Sequence, residues 1–161
     1  DIVKKYSDKF NVEQPLIFAV IEQESNFNPK ATSWVPAYGL MQLVPRSGGR
    51  DAYRYVYKTD GIPSADFLFD PENNIQLGTG YLKLLMSTTF KKITDDRCRM
   101  LCTIAAYSRA INGTTNISKA IPIINSMSYD QLFEHLKKSL SHAEAKDYIQ
   151  KVTTKMQKYM K

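Results

Sequence analysis

The chain has 161 residues, 43% hydrophobic and 24% charged, the balance of an ordinary globular protein with enough length for one domain and a sizeable core. The longest apolar run, LIFAVI at 16–21, is far short of a membrane span, and no signal peptide is visible at the start. The net charge of +6 suits an acidic polymer or surface, but the basic residues are scattered, and the densest set (Lys146, Lys151, Lys155, Lys158, Lys161) has the spacing of a solvated helix face, so nucleic acid is not the expected partner.

Taken in order, residues 1–10 read as a short helix with Ile2, Val3, Tyr6 and Phe10 on one side. Residues 11–14 break it. Pro15 suits the first turn of the next helix, where its missing N–H costs nothing, and Asn28 before Pro29 ends it. In that helix, at about 100° per residue, Leu16, Ile17, Val20 and Ile21 form one stripe, and Glu24 projects from the middle of it. Glu22 points to the polar side. A carboxyl on a buried face is paired, neutral or functional. Desolvation raises its pKa, which a general acid needs, so Glu24 is either a catalytic acid or a core ion-pair residue.

Residues 31–39 read as a loop, followed by a short apolar piece, LMQLV, stopped by Pro45. Residues 50–57 suggest a short helix with Tyr53 and Tyr57 four apart. Residues 58–74 read as a surface excursion with an apolar island at Phe67–Phe69 and room for a small β-hairpin. Asn74 is the expected cap of a helix over 75–88, in which Gly78 implies close packing against another backbone. Thr94 or Asp95 opens a helix to Tyr107. Residues 111–115 form a turn, and Pro122 limits helix over 116–125. Capping boxes at Ser128/Gln131 and Ser141/Glu144 open the last two helices, the second with a stripe of Ala145, Tyr148, Ile149, Val152, Met156 and Tyr159. With no repeat and no linker, the expectation is a single, mostly α-helical domain over 1–161.

The chemistry is narrow. No phosphate-cradling glycine loop is present. Cys98 and Cys102, four apart on one helix, with His135 and His142 elsewhere, give no metal-ligand set; core thiols are expected, a local disulfide being the awkward alternative. A serine–histidine–acid triad has no support. Glycosidases use two carboxylates, and Glu24 has no evident partner: Glu22 points away, and Asp51, Asp60, Asp66 and Asp70 look like turn or helix-start residues. A single usable carboxyl suggests chemistry assisted by the sugar's own N-acetyl group.

ESNFNPKATS (24–33), YGLMQLVP (38–45), FDPENNIQLGTGYLKLL (69–85), AAY (105–107) and AKDYIQKV (145–152) occur in the order found in lytic murein transglycosylases with a goose-type-lysozyme-like domain, and the chain resembles that family over nearly its whole length. PSADFLFDPENNIQLGTGYL and IINSM are most similar to its membrane-bound C-type members. The resemblance implies a lysozyme-like helical fold and Glu24 as the sole acid/base. It implies Ser25 beside it as an orienting residue, Ser33 at the C6 side of the reacting sugar, and Gln42 with the 39–41 backbone as the N-acetyl contact. Met41 and Val44 are cleft residues or plain core. Tyr107 and Tyr148 match the family's two tyrosines that face the carboxyl, although Tyr148 also fits simple packing. One departure stands out: where the family has Asn after the tyrosine, this chain has Ser108, then Arg109 and Ala110, with Asn112–Gly113 later. A serine hydroxyl cannot offer an amide's donor and acceptor together, so that substrate contact changes or passes to Asn112.

The implied reaction is non-hydrolytic cleavage of peptidoglycan strands to 1,6-anhydromuramoyl ends, without metal or organic cofactor. The enzyme is expected to be a monomer of the bacterial periplasm, reaching the outer membrane only through a lipid anchor outside this sequence. The alternatives are a lysozyme-like hydrolase on the same fold and a catalytically silent peptidoglycan-binding domain.

Overall fold

A computed structural model describes residues 1–108, 117–139 and 143–160. Helices dominate it, and the chain packs as two compact units, 1–84 with 154–161, and 85–153.

In the first unit, Asp1 caps helix α1 (Ile2–Phe10) by accepting from the Val3 N–H. Helix α2 (Gln14–Ser25) has Pro15 in its first turn. Leu16, Ile17, Ala19, Val20 and Ile21 are all buried, so this helix is covered on more than the stripe its sequence predicts. It stops at Asn26, in the left-handed conformation, whose N–H bonds the Glu22 carbonyl; Phe27, also left-handed, turns the chain away. A π-type turn, Pro45–Gly49, closed by Gly49 N–H to the Val44 carbonyl at 2.8 Å, leads into α3 (Arg50–Tyr57). Helices α4 (Ala65–Phe69) and α5 (Pro71–Leu84) follow. Leu43, Ala52, Leu68 and Leu77 form a buried cluster with Tyr38, Tyr53, Val56, Phe67 and Tyr81 packed on it.

Three expectations for this region change. The excursion 58–74 holds no hairpin but helix α4, capped by Ser64, because the apolar island buries Leu68 on one helical turn. Isolated β-bridges occur earlier, pairing Thr32 with Tyr38 and Tyr38 with Leu43. Asn74 does not cap α5: Asp70 accepts from the Asn73 N–H at 2.9 Å and the helix starts at Pro71. Gly78 meets a side chain, Met41, rather than a backbone. Asp60 is held by Arg50 through two bonds of 2.9 and 2.7 Å and by Arg54 at 3.1 Å, tying the excursion to α3.

The second unit begins with a π-type turn, Leu85–Thr89, where regular helix was expected to continue. Asp95 caps α6 (Asp96–Tyr107), and helices α7 (Ile121–Ile124), α8 (Tyr129–Ser139) and the start of α9 (Ala143–Tyr159) follow. Phe90, Ile93, Leu101, Ile104, Leu132, Leu136, Ile149 and Val152 make its core. The Ser128/Gln131 capping box is present in both directions, at 2.9 and 3.2 Å. Ser141, the 111–115 turn and His142 lie outside the described residues. Cys98 and Cys102 are free and buried, and burial pushes the Cys102 thiol up to about 12.

Candidate functional site

Glu24 sits in the last turn of α2, half-buried, where the sealed part of the helix gives way to exposed Asn26, Phe27 and Asn28. Ser25 beside it, also half-buried, donates its hydroxyl to the Ile21 carbonyl at 3.0 Å, a bond that fixes the side chain along the helix. A salt bridge is found at Glu22. Glu22 is not on a solvated face: its side chain keeps 17% exposure, under the end of α9. It accepts from Lys158 Nζ at 2.6 Å and from the Tyr159 hydroxyl at 2.5 Å, with Lys155 at 3.9 Å. Lys158 first, then Tyr159, holds its carboxyl below the usual carboxylate range. Phe18 stacks on Tyr159 in the same contact.

Two of the carboxyls weighed as a second catalytic group, Asp60 and Asp70, have structural work. Asp60 lies between two arginines that keep it ionised, and Asp70 caps α5. Glu72, in the first turn of α5, accepts from Lys5 at 2.8 Å and Tyr6 at 2.6 Å, locking α1 to α5.

Downstream of Glu24 the chain forms a knot of backbone pairs. Asn28 accepts from the Lys30 N–H through its side chain and from the Ala31 N–H through its carbonyl. Gly39 N–H bonds the Ala31 carbonyl at 2.8 Å. Ser33 pairs twice with Ala37, its N–H donating to the Ala37 carbonyl and its Oγ accepting from the Ala37 N–H, both at 3.0 Å. Gln42 is buried with φ 51°, and its Nε2 donates to the Ala31 carbonyl at 3.0 Å and the Gly39 carbonyl at 2.9 Å. Both amide hydrogens are therefore spent on the loop, so Gln42 shapes it; any N-acetyl contact through this side chain falls to other atoms. Met41 is fully buried and belongs to the core beneath the turn, not to its surface. Val44 is half-buried in extended backbone at the entry to the π-type turn.

Asn74 holds this arrangement from below and was missed as a site residue. It is completely buried; its Oδ1 accepts from the Met41 N–H at 2.8 Å and its Nδ2 donates to the Tyr38 and Leu68 carbonyls at 2.9 and 2.8 Å. Gly39, at φ 81°, has no room for a Cβ against Asn74 and the Leu68 carbonyl. Two polar residues side by side at a helix start look like caps in sequence, and nothing local says that the second one points inward.

In the second unit, Tyr107 is buried at the end of α6. Ser108 turns its hydroxyl back onto the Ala105 carbonyl at 2.6 Å, so it terminates the helix. Arg109, Ala110 and Asn112 lie outside the described residues. Tyr148 is buried in α9. The described residues hold no group of His, Cys, Asp and Glu fit for a metal, and no described helix is long and apolar enough to cross a membrane.

Comparison with known proteins adds to this geometry. Residues 1–133 match the family model described as Transglycosylase SLT domain. Membrane-bound lytic murein transglycosylase C of Sodalis glossinidius is 37% identical over 98% of this chain and 45% of its own length; that of Photorhabdus laumondii is 36% identical with the same coverage. The chain thus spans less than half of these relatives. The crystal structure of the 70 kDa soluble lytic transglycosylase of Escherichia coli superposes with a TM-score of 0.72 at 25% identity, over 99% of this chain and 24% of that one. The lysozyme-like helical fold expected from the sequence is the fold observed, and the chain belongs to the transglycosylase SLT domain family.

Proposed function

We propose that this chain is the catalytic domain of a peptidoglycan lytic transglycosylase, with Glu24 as its only acid/base. The observation that carries the reading is the placement of Glu24: a half-buried carboxyl at the open end of a sealed helix, leading directly into a hydrogen-bonded loop built from Ser33 and Gln42. The named relatives, lytic murein transglycosylases, support the same chemistry. The family match runs from 1 to 133, through both compact units, which supports reading them as one catalytic domain.

In this mechanism Glu24 enters protonated and donates to the oxygen leaving C1 of N-acetylmuramic acid. The substrate's N-acetyl group supports the electron-poor carbon. Glu24, now a carboxylate, takes the proton of the C6 hydroxyl as that oxygen bonds C1, giving the 1,6-anhydro end and restoring the acid. One group serves twice, consistent with Asp60, Asp70 and Glu22 being engaged elsewhere. Ser33 is assigned to the C6 side. Its Oγ accepts from Ala37, which leaves the hydroxyl hydrogen to donate. Ser25, Gln42 and Met41 support the loop and helix end, Val44 lines the glycan path, and Tyr107 and Tyr148 are assigned as glycan-binding tyrosines. With Ser108 bonded to its own helix, the contact that the family's asparagine makes passes to Asn112 or is absent. The membrane-bound relatives support work in the bacterial cell envelope.

Digestion of intact peptidoglycan sacculi tests this. Mass spectrometry is expected to find 1,6-anhydromuropeptides with the wild type and at least about 100-fold less product with Glu24→Gln, the order of loss for a removed acid/base. Reducing ends alone would make the protein a hydrolase, and equal product from the variant would remove Glu24 from the chemistry.

A further inference from the structure

Trp34 is the one tryptophan of the chain, and it is 95% exposed. So large an aromatic surface is normally covered at least in part, and its N–H normally finds a partner. Here the indole has no ring contact and no hydrogen-bond partner among the described residues. A loose loop does not account for this. The double pairing of Ser33 with Ala37 pinches Trp34, Val35 and Pro36 into a tip. Below it, Ala31 is bonded by Gly39 and Gln42, and Thr32 bridges Tyr38. The ring stands on a fixed base with both faces and its donor open.

The neighbourhood selects the ligand. Residues 31–45 contain no Asp, Glu, Lys or Arg. A tip made to enter an anionic lipid surface gains from cations beside its aromatic, and the nearest in sequence, Lys30, has its ammonium over the Phe69 ring. A pyranose ring needs no charge: its C–H face lies on an aromatic face, and its hydroxyls accept an N–H. We propose that Trp34 is a sugar-stacking platform that holds a pyranose ring of the glycan strand next to the one met by Ser33. The proposal rests on the transglycosylase reading for its ligand and adds a binding position to it. Stacking at a position away from the broken bond grips the strand without entering the chemistry, so it acts on strand affinity more than on turnover.

Because Trp34 is the only tryptophan, fluorescence excited at the red edge, where the 10 tyrosines do not absorb, reports on it alone. Glu24→Gln protein, which leaves the ligand intact, is titrated with peptide-free glycan strands and, separately, with phosphatidylglycerol vesicles, and binding is measured in parallel by calorimetry. Glycan is expected to shift the emission to the blue and shield the indole from acrylamide. Trp34→Ala is expected to bind glycan about fivefold more weakly and Trp34→Phe to stay within about twofold of the parent, the scale of one aromatic contact. Glycan binding by calorimetry with unchanged emission would overturn the proposal and leave the transglycosylase reading standing. A blue shift with vesicles and not with glycan would overturn it in favour of a lipid surface. Absence of anhydromuropeptides from wild-type digests is a separate result, and it would bring down the parent reading.

Discussion

At the scale of single residues, the densest function per atom belongs to Asn74. Its amide serves three main-chain groups, on Tyr38, Met41 and Leu68, and its bonds to the last two are buried away from water. Asn74→Ala removes all three bonds, and of the three groups the Tyr38 carbonyl keeps the Leu43 N–H at 3.2 Å. At about 1–3 kcal/mol for each buried polar group left unpaired, the cost is several kcal/mol before any relaxation. We expect the urea midpoint to fall well below that of the wild type and lytic activity to fall with it, because the turn carrying Met41 and Gln42 loses its support. A midpoint within experimental error of the wild type would mean that the turn holds itself. Glu24 and Asn74 show why one residue was legible and the other was not. Glu24 interrupts an apolar stripe, and periodicity exposes such an interruption. Asn74 follows Asn73 at a helix start, where capping explains a polar residue, and its partners lie 33, 36 and 6 positions away in sequence.

At the scale of elements, the turn over 38–43 packs against helix α5, with Met41 seated on Gly78. A Cβ on Gly78 collides with the Met41 side chain, so the helical glycine is required by its neighbour and not by its own backbone. Gly78→Ala raises intrinsic helix propensity by about 1 kcal/mol, while overpacking a filled core costs about 1–3 kcal/mol. The second effect wins because Met41 is fully buried and has nowhere to retreat. Gly78→Ala is therefore expected to destabilise by up to about 2 kcal/mol net. Met41→Ala alone leaves a cavity, and the double variant is expected to be more stable than the sum of the two losses predicts. Additive losses in the denaturation cycle would show that the two residues do not share the space. The elements most visible in sequence were those with a long apolar repeat or a complete cap, α2 and α8. The segment 58–74 was misread because α4 is only Ala65–Phe69, too short for a period, and its Ser64 cap resembles turn chemistry. The continuation of α5 was misread because the widening to a π-type turn at Leu85–Thr89 changes one hydrogen-bond register and leaves the composition helical.

At the scale of the whole molecule, the first unit is closed by the chain's far end, and Glu22 is the clasp. Residues 154–161 return to it, and Lys158, Lys155 and Tyr159 converge on one carboxylate two positions before Glu24. The two sides of the clasp titrate at opposite ends of the pH scale. Glu22, whose ordinary value is 4.5, is held lower in the folded protein, first by the Lys158 bond. Its contribution is complete above the ordinary value and is lost as pH falls through the lowered one. The Tyr159 phenol is pushed from 10.0 up to about 12, by burial first and then by Glu22. Its contribution is complete below 10.0 and is lost as pH rises towards 12. Thermal midpoints measured between these limits should form a plateau with a shoulder at each side. Glu22→Gln is expected to lower the plateau and shrink its acid shoulder, and also the alkaline one, because the phenol loses the charge that opposes its ionisation. Tyr159→Phe is expected to remove this group's share of the alkaline shoulder while retaining most of the acid one, since Lys158 still holds the carboxylate. Curves for the two variants that run parallel to the wild type at every pH would show that the clasp does not close the unit.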